Sequence, residues 1–127
     1  MMYNNTVCEC FFSPRHVGVI DLNKDFTIVY LNNQKGQGNI EFYIQCGQDR
    51  VMQRICFKTN GNPYLIAGLE WLSRQLEGHS IDKAPAIDSQ QLIKELDIPT
   101  PQYHLALRIV NIFKESLTLM NSKLAHL

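Results

Sequence analysis

The chain has 127 residues, of which 45% are apolar and 19% are charged. This length and apolar fraction are typical of one compact domain with a single core. Twelve basic and twelve acidic side chains cancel, so the chain lacks the net positive charge expected of a nucleic-acid-binding protein. We therefore predict one domain over residues 1–127 that binds neither DNA nor RNA.

The cellular compartment is predicted from what the amino-acid sequence lacks. No apolar run is long enough to span a bilayer, and residues 1–6 lack the basic and then apolar pattern of a signal peptide. Both observations favour the cytoplasm and no membrane contact. In a reducing cytoplasm the four cysteines, Cys8, Cys10, Cys46 and Cys56, are predicted to be free thiols.

The first half of the chain predicts one helix followed by strands. A helix is expected from about residue 4 to residue 12, with Cys8, Phe11 and Phe12 as its buried face, because Pro14 disfavours helical geometry just before it. Residues 26–31 are rich in β-branched and aromatic side chains and predict a strand. Residues 40–46 and 51–57 alternate around a turn at 47–50 and predict a hairpin. Its inward side chains would be Ile40, Phe42, Ile44, Ile55 and Phe57.

The second half predicts three helices. The first begins at Pro63, carries leucines at helical spacing and is followed by Gly78 as a C-cap residue would be, with Glu70 and Arg74 as a solvent-side ion pair. A second is expected from Asp88 until Pro99, and a long third from about residue 101 to residue 124. Strands followed by helices predict an α+β domain, in which helices pack on one face of a small antiparallel sheet of about three strands.

Several short segments together carry a family resemblance. Residues 57–62 read Phe-Lys-Thr-Asn-Gly-Asn, residues 13–18 read Ser-Pro-Arg-His-Val-Gly, and residues 104–105 read His-Leu. Further matching segments are 77–82, 84–87 and 95–99. As a set they resemble the iron–sulfur cluster assembly scaffolds of the NifU amino-terminal, or IscU, type. The resemblance implies the fold of those scaffolds over about residues 11–117.

The same resemblance implies where cluster ligands would lie. The family's strand reads Phe-Lys-Thr-x-Gly-Cys-Gly and its last helix opens with His-Cys, so Asn62 and Leu105 occupy two cysteine positions. The third ligand loop, Ala-Cys-Gly-Asp in the family, corresponds to residues 36–39. One register puts Gln37 and Asn39 at the cysteine and aspartate positions, and another puts Gly36 and Gly38 there. Neither register supplies a thiolate, so no cluster ligand is expected at Gln37, Asn39, Asn62 or Leu105.

His104 is the one residue at a ligand position of the family that keeps its chemistry, and it is our candidate metal ligand. An alternative is a histidine near a helix start, bonded to backbone or water, since one imidazole alone does not hold a metal tightly. His16 and His79 would help only if the fold brings their loops to His104. Cys8 and Cys10 are predicted to be small apolar residues, one of them buried, and residues 36–39 to be a turn before a strand.

We predict a divergent scaffold-like protein that acts through protein contacts, for example with a cysteine desulfurase or another assembly factor. The alternative is an iron- or zinc-binding protein that uses His104 with replacement ligands, including ligands shared across a dimer or Cys46 and Cys56 exposed on the sheet. No catalytic residue is identified, so we expect neither an enzyme nor a bound cofactor. A bound iron–sulfur cluster or zinc is implied by the resemblance alone. The expected state is a monomer or a weak homodimer. Residues 98–102 read Ile-Pro-Thr-Pro-Gln. The family carries Leu-Pro-Pro-Val-Lys there, the segment that its dedicated chaperone recognises.

Overall fold

Three antiparallel strands form the sheet of this protein in a computed structural model that describes residues 3–125. Strand β1 is Thr27–Gln34, β2 is Gly38–Cys46 and β3 is Met52–Thr59, and they lie in the order β1-β2-β3. Gln34 pairs with Gly38 at one end of the sheet and Cys46 pairs with Met52 at the other. The sheet is therefore a meander whose first turn comprises residues 35–37 and whose second comprises residues 47–51.

Four α-helices complete the described part of the chain. Helix α1 is Asn5–Phe12, α2 is Pro63–Leu76, α3 is Ser89–Leu96 and α4 is Tyr103–Leu124. Short 3₁₀ turns at Ile81–Lys83 and Thr100–Gln102 precede α3 and α4. The prolines at 99 and 101 separate the last two helices, as expected of residues that restrict helical geometry. None of these helices is both long and apolar enough to cross a membrane.

The main core lies between one face of the sheet and the helices. Ile40, Phe42 and Ile44 of β2 are fully buried there, as are the leucines of α2, and α4 adds a continuous stripe. That stripe contains Leu105, Ile109, Ile112, Phe113, Met120 and Leu124. The predicted α+β class, the inward residues of the hairpin and the packing of helices on one face are confirmed.

A smaller apolar cluster covers part of the other face. After α1 the chain runs along the outer edge of β3, where Val17 forms a parallel bridge with Phe57. The Gly18 amide donates to the Phe57 carbonyl at 2.9 Å, and the Phe57 amide donates to the His16 carbonyl at 2.8 Å. Beyond this bridge Ile20 packs on Tyr43 and Cys56. Residues 15–20, here called the N-terminal segment, thus add one bridge to the edge of β3 and cover part of this face of the sheet.

The predicted buried face of α1 is wrong for Cys8 and Phe12 but not for Phe11, which is partly buried against the main core. Val7 and Cys10 are the buried residues of this helix, whereas Phe12 is 71% exposed and Cys8 is only partly covered. Val7 and Cys10 are three positions apart and therefore share the face that packs on α2. Phe12 closes the helix at a point where the chain already turns away, so it lies outside that contact.

The predicted solvent-side pair of Glu70 and Arg74 is also wrong. Glu70 is completely buried, and Arg74 is only 15% exposed. The cause is tertiary: the N-terminal segment lies across this face of α2, which a helical pattern alone leaves open. The pairing within the helix is correct, since Arg74 Nε lies 2.8 Å from Glu70 Oε2.

All four cysteines are free thiols, as predicted, but Cys46 and Cys56 are not exposed on the sheet. Cys46 is 2% exposed in the main core and Cys56 is 8% exposed in the smaller cluster on the opposite face. Burial raises the pKa of the Cys46 thiol to about 11 and also raises the pKa of Cys56. The two thiols therefore form no shared metal site.

Candidate functional site

A shallow cleft of about 170 Å³ lies where the β1–β2 turn, the loop before α2 and the start of α4 meet. These three segments carry the positions that the family resemblance marks as ligands. The lining residues are Gly36, Gln37, Gly38, Asn60, Gly61, Asn62, Leu65 and Leu105. The cleft contains carboxamides, glycines and leucines, and no charged side chain lines it.

Asn62 begins helix α2. Its side-chain oxygen accepts a hydrogen bond from the Leu65 amide at 3.0 Å, which satisfies one of the free N–H groups at a helix start. Its side-chain nitrogen donates to Gln102 Oε1 at 2.9 Å. Pro63 occupies the first turn, where the missing amide hydrogen costs nothing. Both ends of the Asn62 carboxamide therefore have structural partners.

His104 contacts Gln37 across the cleft. The imidazole Nε2 lies 3.2 Å from Gln37 Oε1, and both side chains are exposed to solvent. The sequence did not indicate Gln37 as a partner of His104; the β1–β2 turn brings its side-chain carboxamide within hydrogen-bond distance. His16 and His79 lie elsewhere: His16 is buried against Glu70, and the His79 carbonyl accepts from Met52 at the far end of the sheet.

The turn that carries Gln37 is an ordered hairpin, which confirms the turn predicted at residues 36–39. Gly36 and Gly38 both have positive φ values, 76° and 87°, which favour glycine. Gly38 also approaches the next loop closely, since a Cβ added there would lie 3.0 Å from the Gly61 Cα. The Asn39 amide donates to Asn60 Oδ1 at 2.7 Å and ties the two loops together.

Arg108 holds this hairpin from below and was not identified from the sequence. It is 6% exposed, and its guanidinium donates to the Asn32 side chain and to the carbonyls of Asn32, Gln37 and Gly38 at 2.6–3.0 Å. None of these partners is a carboxylate, and burial lowers the pKa of Arg108. The one indication of Arg108 in the sequence was its position four residues after His104, which places both residues on the same face of the helix.

Leu105 belongs to the core. It is 2% exposed, and it forms the apolar floor of the cleft together with Leu65. A leucine at this position offers no donor atom to a metal. Asn39 is exposed, pairs with Asn33 across the hairpin and donates its backbone amide to Asn60.

The donor set does not fit an iron–sulfur cluster. Such clusters are held by cysteine thiolates, and the side chains here are neutral carboxamides and one imidazole. Within residues 3–125 no group of three or more His, Cys, Asp or Glu side chains could hold a metal ion. Cys46 lies eight residues along β2 from Gly38, roughly 27 Å at the usual rise of a strand.

Comparisons with known proteins agree with the geometry of the fold. Residues 2–123 match the family model described as "NifU-like N terminal domain". The chain is 26% identical over 118 residues to the iron–sulfur cluster assembly scaffold protein IscU of Rickettsia prowazekii, covering 92% of this chain and 90% of that protein. It is 24% identical over 124 residues to the IscU of Escherichia coli strain K12, with 97% of each chain covered.

A solved structure shows the same fold. The N-terminal part of a nitrogen-fixing NifU-like protein from Brucella abortus superposes with a TM-score of 0.65 at 13% identity, covering 97% of this chain and 94% of that one. The family model spans nearly the whole chain, and the relatives match end to end. This protein belongs to the NifU-like N-terminal domain family, which includes the IscU scaffolds of iron–sulfur cluster assembly.

Proposed function

We propose that this protein is a divergent member of the iron–sulfur assembly scaffolds that binds protein partners and does not assemble a cluster on the usual cysteine ligands. One observation carries the proposal: the residues at the ligand positions have structural contacts and no thiolate. Asn62 caps a helix, Leu105 is buried in the core, and Gln37 contacts His104. Each position thus contributes to the fold of the corner.

The contact between Gln37 and His104 favours one of the two registers for the third ligand position. In the register that places Gln37 there, the residue faces His104 at 3.2 Å. In the other register the position falls on Gly36, which has no side chain to aim into the cleft. We therefore treat Gln37, Asn62 and Leu105 as the three positions that cysteines would occupy in an assembling relative.

Exposed apolar side chains beside the cleft support a role in protein contacts. Leu107 is 62% exposed and Tyr103 is 40% exposed, and they flank His104 on helix α4. Leu107 lies three positions after His104 and therefore on the same side of the helix. We propose that a cysteine desulfurase or another assembly factor docks here, as the family of the chain suggests.

Anaerobic reconstitution with ferrous iron and sulfide tests the absence of assembly. We expect background iron and sulfide and no visible absorption band for the wild-type protein. The triple variant Gln37→Cys/Asn62→Cys/Leu105→Cys restores three thiolates beside His104 and should gain a cluster absorption band. A near-stoichiometric cluster on the wild-type protein would overturn the proposal.

The same experiment separates the metal-binding alternative. A zinc or iron site at His104 would load metal without sulfide and lose it in His104→Ala. We expect equal, background metal in both proteins, because a single imidazole facing a carboxamide is a weak site. Metal content that falls in His104→Ala would establish the alternative.

Partner binding is tested by titrating the protein with the desulfurase of its own cell. We expect micromolar or tighter association, weakened about tenfold or more by Leu107→Asp. Leu119→Asp is the matched control, since Leu119 is 40% exposed on the same helix but lies three turns further from the cleft. Equal weakening by both substitutions, or no association at all, would contradict docking at this corner.

Two further expectations belong to the same proposal. We propose that the protein is not an enzyme and that it works in the cytoplasm, where its free thiols would stay reduced. Fractionation of its native cells, followed by immunodetection, tests the compartment.

A further inference from the structure

The largest cluster of buried charge in this protein lies on α2, away from the cleft. Its centre is Glu70, which is completely buried and accepts four hydrogen bonds. The amides of Arg15 and His16 both donate to Oε1 at 2.9 Å. His16 Nδ1 and Arg74 Nε lie 2.7 and 2.8 Å from Oε2. One carboxylate therefore fastens the start of the N-terminal segment to the helix.

The His16 imidazole bridges two carboxylates. Its other nitrogen, Nε2, lies 3.2 Å from Glu77 Oε2, and the ring itself is only 5% exposed. A carboxylate accepts hydrogen bonds, so both contacts are satisfied only when both ring nitrogens carry a proton. The geometry thus favours the imidazolium form of His16, which places a positive charge between the two carboxylates.

Loss of one proton would break one of these two contacts. The shorter bond to Glu70 keeps the remaining N–H, and the unprotonated Nε2 then faces the Glu77 carboxylate without a hydrogen between them. Glu77 is 44% exposed and can turn to solvent, whereas Glu70 keeps Arg74 and the two backbone amides. Deprotonation therefore weakens the hold of α2 on His16 without leaving Glu70 unpaired.

His16, whose contact with Glu77 would weaken, lies next to Val17, which bridges to Phe57 of β3. The His16 carbonyl accepts from Phe57, and the Gly18 amide donates to Phe57, so these two hydrogen bonds are the ones that would open with the segment. Val17 and Val19 on the segment are already 58% and 54% exposed, so the segment has little apolar burial of its own before Ile20. Its attachment depends largely on the polar contacts of His16.

We propose that His16 is a protonation-controlled latch, which fastens the N-terminal segment to α2 and to the edge of β3 and loosens it as the pH rises. When His16 loses its proton, the N-terminal segment would separate more readily from the edge of β3. This inference is independent of the function proposed for the cleft.

The charged surroundings of His16 agree with this direction. The hydrogen bond with Glu70 raises the pKa of His16 above its usual value, against the effect of burial, and Glu77 adds to the rise. Burial acts to raise the pKa of Glu70, but hydrogen bonds from His16 and Arg74 outweigh it and lower the pKa. The other titratable groups near the cluster are Arg15 on the segment itself, Glu9 and Cys10 on α1, and Arg54 and Cys56 on β3.

The sign of the pH effect follows from these shifts. A group whose pKa is raised on folding stabilises the folded state below its unfolded pKa, near 6.5 for histidine, and loses that contribution as the pH rises through the folded pKa. Glu70, with a lowered pKa, contributes above about 4.5 and loses its contribution as the pH falls. The segment should therefore be held most tightly between these limits, in mildly acidic solution.

Amide hydrogen exchange across pH tests the latch, with rates corrected for intrinsic exchange. For the wild-type protein we expect the protection of the Gly18 and Phe57 amides to fall about five- to tenfold as the pH rises through the His16 titration, which is followed by NMR. That range corresponds to losing one charge-assisted hydrogen bond to a partly exposed carboxylate. Protection of the Ile44 amide, in the centre of the sheet, should not change.

Two variants separate titration of His16 from other causes. In Glu77→Gln the His16 titration should move to lower pH, and the loss of protection should move with it. In His16→Asn, whose side chain can still donate to Glu70, protection at Gly18 and Phe57 should no longer depend on pH. A wild-type titration midpoint of His16 at or below its value in an unfolded peptide, or the same pH dependence in His16→Asn, would overturn the proposal.

Discussion

Polar side chains gather at two corners of the molecule, which differ in solvent exposure and in charge. The corner at the ligand positions is exposed and is lined by neutral carboxamides, with one imidazole at its rim. The corner at Glu70 is largely buried and brings the His16 imidazole, the Arg74 guanidinium and the carboxylates of Glu70 and Glu77 within 3.2 Å of a partner. The charged side chains at Glu70 therefore hold parts of the fold together, whereas no charged side chain lines the cleft at the ligand positions.

The largest expected effect lies at the buried corner. Glu70→Ala removes the shared acceptor of the His16 and Arg74 side chains and of two backbone amides, and breaking a buried ion pair in this way costs about 3–5 kcal/mol of unfolding free energy. Urea denaturation measures this loss. Glu9→Ala is the control, because Glu9 pairs with the same Arg74 from a position 70% exposed and should cost at most about 1 kcal/mol. Equal losses would remove the distinction between buried and exposed partners.

The second largest loss of stability is expected at Arg108, which lies beneath the β1–β2 turn. Arg108→Met leaves three backbone carbonyls and the Asn32 side chain without their donor and should cost about 2–3 kcal/mol. Faster amide exchange in the β1–β2 turn should accompany the loss. Arg108→Lys keeps the charge but not the planar fork, so it should recover only part of the stability. Full recovery by lysine would mean that charge alone holds the turn.

A smaller loss of stability is expected at Asn62, which caps helix α2. Asn62→Ala should cost about 1 kcal/mol, because the first turn of α2 loses its side-chain acceptor. Asn62→Asp keeps that acceptor and should cost much less. Asp88→Ala removes the equivalent cap of α3 and gives the reference value for this fold. A negligible cost at Asn62 against a normal cost at Asp88 would show that the cap is not what Asn62 provides.

Cysteine reactivity distinguishes buried from accessible positions without a change in stability. Cys8 is the only cysteine among the four that is not buried, so it should react first with a thiol reagent at pH 8 in the native protein. Cys46, with a pKa of about 11, should react only as the protein unfolds. Mass spectrometry of partly alkylated protein identifies the order. Early modification of Cys46 would contradict its placement in the core.

Local patterns predicted most of the elements correctly, for reasons visible in particular residues. The alternation of Ile40, Phe42 and Ile44 fixes which face of β2 meets the helices, because side chains alternate along a strand. Asp88 caps α3 and Gly78 ends α2 at positive φ, as their residue types favour. The prediction failed at Glu70, where the neighbouring segment comes from a distant part of the chain, and at Phe12, which lies outside the contact between α1 and α2.

The candidate site was predicted in its composition but not in its contacts. The sequence showed that Asn62, Leu105 and residues 36–39 supply no thiolate, since residue types are read directly from it. It did not show that Gln37 meets His104, or that Arg108 lies beneath the turn. These contacts join residues 67 and 71 positions apart, a separation at which periodicity carries no signal.

The sequence by itself determined the family, the order of strands and helices, and the absence of cysteine at the ligand positions. These properties depend on residue identity and on spacings of two to four residues. Only the tertiary structure decided that Glu70 is buried and that His16, 54 residues away, lies between the carboxylates of Glu70 and Glu77. The physical reason is that burial and pairing depend on which segments the fold brings together, and here the N-terminal segment crosses α2.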